Sequence, residues 1–260
     1  MQAAVGSHCL DCAKAAQPDV RTRARYWNAR QPAMVTMAIM ALNALVFIYV
    51  TVRDPQSLGG RNITIGHAQL GLNSNALGDG MGVRLPDGSV YLSDGGDWYR
   101  LLTSGFLHFG IIHIAFNMYL LYVLGQMLEP AIGRIRFLLV YLAGLLGGSA
   151  GSLLIDGGGI AGGASGAVFG LMALAFVGYY LQGANPLNTQ IGTLLMLNLF
   201  ITFVIPGISV GGHLGGAAAG ALCALVVMAP RHRGYPRWAG YATPAAVAVL
   251  ALAVSVASVA

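Results

Sequence analysis

One uncharged stretch decides the fold of this chain. It runs from Gly157 to Pro230 and reads GGGIAGGASGAVFGLMALAFVGYYLQGANPLNTQIGTLLMLNLFITFVIPGISVGGHLGGAAAGALCALVVMAP. A helix that crosses a bilayer needs about 20 apolar residues, so this stretch is long enough for three spans. Turn-forming residues at 182–188 and 206–212 divide it. We therefore expect helices at about 164–182, 190–206 and 210–229.

The composition of the whole chain extends this interpretation. Of the 260 residues, 56% are hydrophobic and only 9% are charged, whereas soluble domains are about a quarter charged. Too few charges remain to cover a soluble surface, which excludes an ordinary soluble enzyme, a disordered chain and a disulfide scaffold. Four further uncharged segments predict spans at about 33–52, 104–128, 137–155 and 239–259. The predicted fold class is an all-α polytopic membrane protein with seven spans.

The basic residues predict the orientation. Cytoplasmic loops carry an excess of Lys and Arg, and 10 of the 14 basic residues lie in the N-terminal segment 1–32, in the loop after the second span and in the loop at 230–237. With seven spans these three segments share one side, which we assign to the cytoplasm. The Gly-rich region 53–98 is then a large external loop. The net charge of +5 follows from this topology and gives no reason to invoke nucleic acid.

The N-terminal segment carries little further information. The first apolar run begins near Pro32, which is too far into the chain for a cleaved leader. Cys9 and Cys12 form a CxxC motif beside His8, but a structural zinc site needs four ligands and no second pair follows nearby. We interpret the motif as half of a lost zinc ribbon or as nothing, and predict no metal. Cys223 lies in an apolar helix and is expected to serve in packing.

Polar side chains inside the predicted spans are the candidates for function, because such groups are costly at membrane depth. In the predicted topology they occupy the outer parts of the second, fourth and sixth spans, so a shared cavity explains them economically. Asn43 and Asn198 are also polar residues within predicted spans, but we treat them as outliers of this group. The candidates are His108, His113, Asn117, Ser165 and His213.

His113 and Asn117 are four residues apart and so lie on one face of a helix. Such a pair is either interhelical hydrogen-bonding glue or a functional pair, and spacing does not decide between them.

Ser165 lies among glycines, where a serine often serves only in close helix packing. At a helix N-terminus it is alternatively a nucleophile, since free backbone N–H groups there favour a developing oxyanion. The Gly-x-Ser-x-Gly pattern of soluble hydrolases is incomplete here. His213 offers the base that a serine hydroxyl needs. Because residues 157–230 contain no carboxylate, the pattern favours a dyad, and Asp156, in the predicted outer loop, is not assigned to it.

Together these elements resemble the rhomboid intramembrane serine proteases over about residues 33–230. The first element has one residue inserted relative to the Trp-Arg pair of the family. In chain order the elements are Trp98-Tyr99-Arg100, His108 with His113 and Asn117, Glu129-Pro130-Ala131-Ile132-Gly133-Arg134, Gly163-Ala164-Ser165-Gly166, and His213 with Gly216 and Gly220.

The resemblance implies a fold and a mechanism. The fold would be a six-helix core at 33–229, followed by a basic cytoplasmic loop and a seventh transmembrane helix at 230–260. Ser165 would be the nucleophile and His213 the general base. The backbone N–H of Ser165 would hold the oxyanion together with side chains, and an aromatic ring, often Tyr in the family, would pack against the base. The implied oxyanion and supporting residues are His113, Asn117, Gly163 and Phe169.

The resemblance also implies the setting. Substrates would be membrane proteins with small or helix-breaking residues near the outer boundary, reached laterally past the second and fifth spans. The site would open to the external face of a cell membrane, and no cofactor would be needed. Three other functions stay open: a catalytically inactive relative that binds membrane proteins, a small transporter or channel, and a purely structural role for the polar cluster.

Overall fold

The computed structural model describes residues 33–60 and 62–259. The basic N-terminal segment, with Cys9 and Cys12, lies outside the described residues. Helix α1 spans Met34–Arg53 and leads into the region that the sequence predicts as an external loop.

We call residues 53–60 and 62–106 the external region, after the side of the membrane that the sequence predicts for most of them, and this region is folded. It contains helices α2 (Ile65–Leu70) and α3 (Ser74–Leu77), then a hairpin of strands β1 (Met81–Arg84) and β2 (Val90–Ser93), and helix α4 (Arg100–Thr103). The strands pair antiparallel, with Val83 opposite Tyr91. The sequence analysis missed this hairpin, although Pro86-Asp87-Gly88 between two short apolar segments is a recognisable turn signal.

Six long helices follow. Five of the seven long apolar helices in the described residues, namely α1, α5, α6, α9 and α10, are long and apolar enough to cross a membrane. The other two, α7 and α8, are apolar but shorter, with 17 and 15 residues. The chain is therefore a multi-pass membrane protein. The helices are α5 (Ile111–Ile132), α6 (Arg134–Ile155), α7 (Ser165–Leu181), α8 (Gln190–Val204), α9 (Val210–Val227) and α10 (Ala239–Ala257).

The predicted second span began too early. It was placed at 104–128, whereas α5 begins at Ile111 after a short 3-10 turn at Ser104–Phe106. The cause is Gly110, whose positive φ of 87° turns the chain just before the helix. His108 therefore lies before α5 and not within it. The other predicted spans agree with the helices to within three residues at either end.

Helices α6, α7 and α9 form the centre of the fold, and glycines let their backbones touch. A Cβ atom built on Gly148 of α6 would lie 3.0 Å from Gly166 Cα of α7 and 3.0 Å from Gly212 O of α9. We call these three helices the glycine trio. Helix α10 packs on the outside of this trio, against α6 and α9.

Glu129 anchors the start of α1. Its buried carboxylate accepts hydrogen bonds from the backbone N–H groups of Val35 (3.0 Å) and Thr36 (2.8 Å), and from the Thr36 hydroxyl (2.8 Å). The first N–H groups of a helix have no partner within the helix, so this carboxylate supplies an N-terminal cap from another span.

Candidate active site

Ser165 is the first residue of α7, at the helix N-terminus that the sequence analysis anticipated. Two residues earlier, Gly163 adopts a φ of 137°, which favours glycine. A Cβ atom at this position would lie 2.9 Å from Nε2 of His113 and 3.6 Å from the Ser165 hydroxyl. The absent side chain thus leaves the space in which His113 and Ser165 face each other.

The loop that carries Gly163 is tied to the external region. The Gly163 N–H donates to the Ser104 carbonyl (2.8 Å), and Ala161 and Leu72 exchange two backbone hydrogen bonds of 2.8 Å. The loop before Ser165 is therefore joined to the external region by an isolated antiparallel β-bridge between Leu72 and Ala161.

Arg100 holds the external side of that bridge. Its guanidinium is fully buried and donates to the carbonyls of Ala68 (2.5 Å) and Gly71 (2.9 Å), and to the Asp97 carboxylate (2.8 Å). A buried charge is tolerated only when it is paired and hydrogen-bonded, as this one is. Gly71 precedes the bridge residue Leu72, so Arg100 fixes the segment that in turn fixes the loop before Ser165.

His213 lies in the first turn of α9 and is buried. Its imidazole stacks on the Phe169 ring, with centroids 4.2 Å apart and planes 18° apart. Phe169 is one helical turn after Ser165, so this stack places the imidazole beside the turn that carries the serine. The ring contact expected from the resemblance is present.

Among the described residues the Ser165 hydroxyl makes no hydrogen bond to His213. The stacked imidazole instead places its Nδ1 2.7 Å from the hydroxyl oxygen of Thr202, on α8. In enzymes without substrate the bond between nucleophile and base is often long and shortens in the reacting complex.

The tautomer of His113 follows from its neighbours. The Phe109 backbone N–H donates to Nδ1 of His113 (3.3 Å). An imidazole nitrogen that accepts a hydrogen bond carries no proton, so the proton of the neutral His113 ring resides on Nε2. Nε2 and Cε1 are the His113 atoms that lie against Gly163, so the Nε2–H is a donor in the space beside Ser165.

Two aromatic contacts hold this ring. Phe109 stacks parallel to His113 at 6.2 Å and to His67 at 4.6 Å on its other side. His108, which the sequence analysis placed among the polar candidates, is buried and packs edge-on against His113 at 5.0 Å. His67 was not singled out from the sequence, and burial lowers its pKa, which keeps it neutral.

Asn117 is buried one turn below His113, and its amide nitrogen donates to the His113 carbonyl (3.0 Å). An amide nitrogen carries two protons, so a second one can be donated to a ligand. His113 and Asn117 are therefore bonded to each other within α5, and each still has an N–H that can donate to a ligand.

A small cavity of about 40 Å³ adjoins Ser165. Hydroxyls and bare backbone dominate its wall. The wall includes Ser104, Ser149, Ser152, Ser165 and Ser209, with Gly148, Gly163 and Gly212.

The sequence analysis missed a contact that holds the helix of His213. The carboxylate of Asp156, at the end of α6, accepts a hydrogen bond from the Ser209 hydroxyl and another from the Gly211 N–H (2.8 Å). Ser209 also caps α9 by accepting from the Gly212 N–H (2.8 Å). Asp156 thus joins α6 to the N-terminus of α9, two residues before His213.

Comparison with known proteins gives a family. The model of the Rhomboid domain matches residues 95–230. The rhomboid protease GluP of Bacillus subtilis (strain 168) is 36% identical over 162 residues, which are 61% of this chain and 31% of that protein. Rhomboid-type serine protease 2 of Emericella nidulans is 37% identical over 137 residues, 50% of this chain and 27% of that protein. The putative rhomboid protease YdcA of Bacillus subtilis (strain 168) is 32% identical over 149 residues, 54% and 72% of the two chains. The chain covers less than a third of the length of GluP and of the fungal protein.

Proposed function

The chain belongs to the rhomboid family, and we propose that it is an intramembrane serine endopeptidase that cuts membrane-protein substrates with a Ser165–His213 dyad. One observation carries the proposal. Ser165 and the donor atom of His113 face each other across Gly163, and the His213 ring lies on Phe169 one turn further along α7.

The reaction follows from these positions. The Ser165 oxygen attacks the scissile carbonyl carbon while Nε2 of His213 takes the hydroxyl proton. The carbonyl oxygen becomes an oxyanion, and the His113 Nε2–H, an Asn117 amide proton and the Ser165 backbone N–H stabilise it. His213 then gives its proton to the leaving amine. Water attacks the acyl-serine, with His213 again as base, and releases the second product.

The depth of the site fits a substrate inside the bilayer. Helix α7 has 17 residues and is therefore roughly 25 Å long, less than the ~30 Å of the hydrocarbon core. If the inner end of α7 reaches the inner boundary, Ser165 lies below the outer one, beside a cavity lined by hydroxyls. We assign to this cavity the water that hydrolysis consumes. With a cytoplasmic N-terminus, this cavity opens to the external face of a cell membrane.

The substrates that fit are transmembrane segments with small or helix-breaking residues near the outer boundary. A regular helix satisfies its own backbone groups and must unwind before its carbonyl is attacked. The cavity beside Ser165 holds about 40 Å³ and suits a small side chain next to the cut bond. Such a segment would enter laterally past α5 and α8.

The test is cleavage of a labelled transmembrane substrate in liposomes by wild type, Ser165→Ala and His213→Ala. We expect each variant to lose activity by roughly 10³-fold or more while remaining folded. Ser255→Ala is the matched control, since it removes a buried hydroxyl from α10, whose bond is to Ala251 of its own helix (2.9 Å). Cleavage that survives Ser165→Ala would refute the dyad. A wild type that cuts no substrate would favour an inactive, binding relative, and solute uptake that survives Ser165→Ala would favour a transporter.

A further inference from the structure

Thr202 of α8 lies against the base. Its side chain is only 2% exposed, and its hydroxyl oxygen is 2.7 Å from Nδ1 of His213. The same hydroxyl donates to the carbonyl of Asn198, one turn earlier in α8, at 2.7 Å. One oxygen therefore makes two short hydrogen bonds, to two partners with different chemistry.

Counting protons assigns the direction of both bonds. A threonine hydroxyl has one proton, and a backbone carbonyl such as that of Asn198 can only accept. Since the hydroxyl proton is used there, the oxygen offers a lone pair to the imidazole. Nδ1 of His213 must then carry the ring proton, which leaves Nε2 unprotonated in the neutral ring. An unprotonated Nε2 is what a general base for Ser165 requires.

We propose that Thr202 is a positioning residue that holds His213 in the Nδ1-protonated tautomer, in the place that a carboxylate takes in a Ser-His-Asp triad. The proposal rests on the proposed function of Ser165 and His213. A neutral hydroxyl is better suited than a carboxylate at this depth, because an unpaired charge in the membrane is far more costly than a hydroxyl whose proton is already bonded within its own helix.

The location of Thr202 gives the bond a second property. Within residues 33–60 and 62–259, the bond between Thr202 and His213 is the only side-chain hydrogen bond that joins α8 to another of the long helices. Any displacement of α8 that separates it from α9 would remove the acceptor from Nδ1. His213 therefore keeps the Nδ1-protonated tautomer as long as α8 packs against α9.

Three variants test the proposal in the full-length protein. Thr202→Val keeps the shape and removes the hydroxyl, and Thr202→Ser restores the hydroxyl. Thr193→Val is the matched control, because Thr193 lies on the same helix and bonds to the Thr189 carbonyl (3.4 Å) but faces outward. We expect Thr202→Val to lower kcat about 10- to 100-fold with KM little changed, since a buried Nδ1–H is left without an acceptor. Thr202→Ser should recover most of kcat, and Thr193→Val should match wild type.

A spectroscopic measurement reads the tautomer without catalysis. In ¹⁵N NMR of protein labelled at histidine, with His213→Ala used for assignment, the His213 ring of wild type should show a protonated Nδ1 and an unprotonated Nε2. Thr202→Val should raise the share of the other tautomer, and Thr202→Ser should not.

The outcomes separate the two proposals. A wild-type kcat in Thr202→Val, or a wild-type His213 ring protonated on Nε2, would overturn the role of Thr202 and leave the dyad standing. An equal loss in Thr202→Val and Thr202→Ser would also overturn it, since the hydroxyl would then not be the cause. Cleavage by Ser165→Ala would instead refute the proposed function, while the ¹⁵N spectrum would still show whether Thr202 sets the tautomer of His213.

Discussion

The glycine trio and α8 pack by opposite means. In the trio backbones meet directly, so a Cβ on Gly170 of α7 would lie 3.0 Å from Gly144 Cα of α6. Helix α8 instead presents large apolar side chains to the surroundings, with Phe200 and Phe203 about two-thirds exposed, at 65% and 64%. The trio carries both Ser165 and His213, and α8 contributes one polar contact to them.

The difference separates a part of the bundle that is fixed by backbone contacts from a part that is held by side chains. Contacts between backbones have no rotamers to adjust, so the trio fixes the distance between the helices that carry Ser165 and His213. In the described residues α8 is joined to the other long helices by side-chain packing and one side-chain hydrogen bond, so we expect a displacement of α8 to leave the backbone contacts of the trio in place. Four predictions are given in order of expected effect, of which the first two test this contrast and the other two test contacts outside it.

The same substitution should be costly in the trio and nearly neutral on the exposed face of α8. Phe169→Ala leaves a cavity in the trio, so we expect the free energy of unfolding to fall by about 3 kcal/mol. The same change removes the ring that stacks on His213, so we also expect a large loss of kcat. Phe200→Ala removes an exposed ring of α8 and should change stability by less than about 0.5 kcal/mol. Thermal melting in detergent and cleavage in liposomes measure both. Comparable losses of stability in the two variants would remove the contrast.

Adding atoms should be as harmful in the trio as removing them. A Cβ at Gly216 of α9 would lie 2.9 Å from Gly166 Cα of α7. Gly216→Val should therefore separate the helices that carry His213 and Ser165, lower stability by about 1–3 kcal/mol and abolish cleavage. Ala218→Val, at an exposed position on the same helix, controls for the β-branched side chain. A fully active Gly216→Val protein would show that the close approach is not required.

The link between α6 and α9 should be weaker but measurable. Asp156→Asn keeps the size of the side chain and removes the negative charge at the N-terminus of α9. We expect about 1 kcal/mol less stability, because an anion near a helix N-terminus is favourable, and a several-fold lower kcat through displacement of His213. Asp94→Asn in the external region is the matched change of charge. If both variants behave alike in melting and cleavage, Asp156 does not position α9.

The smallest effect concerns pH and the external region. Burial lowers the pKa of His67 below its ordinary 6.5, and this outweighs the opposite effects of its bond to the His108 carbonyl and of Asp54. The unfolded chain then binds a proton near pH 6.5 that the folded chain does not. Stability from the neutral ring is therefore complete above pH 6.5 and falls as the pH drops below it, by at most about 1.4 kcal/mol per pH unit. Melting of wild type and His67→Gln between pH 7.5 and 5.5 measures this, and equal slopes would contradict it.

Much of the fold was predictable because hydropathy and glycine spacing are local properties of the sequence. They gave the long helices to within a few residues and the positions of Ser165 and His213 at helix starts. The start of α5 was missed because hydropathy does not register the turn at Gly110. The resemblance to the rhomboid family is confirmed by the domain match, while the roles of the site residues stay predictions.

The remaining features depend on pairings between distant segments. The hydrogen bonds from Arg100 to Ala68 and Gly71 join residues about thirty positions apart in the chain, and no periodic pattern in the sequence indicates them. The hydrogen bonds of Asp156 to the start of α9 could not be predicted, because its partners lie more than fifty residues away in the sequence. Thr202 is eleven residues from His213, but only the turn between α8 and α9 brings the hydroxyl to the imidazole.

The cap that Glu129 supplies to α1 has a consequence for biosynthesis. Thr36 leaves the ribosome 93 residues before its partner carboxylate. Until then the N–H groups of Val35 and Thr36 lack this acceptor, and a bilayer interior provides none. We therefore expect this end of α1 to remain in the hydrated headgroup layer until α5 has been synthesised. The packing of α1 against α5 would then follow its insertion, so that for this pair of helices insertion and assembly are separate steps.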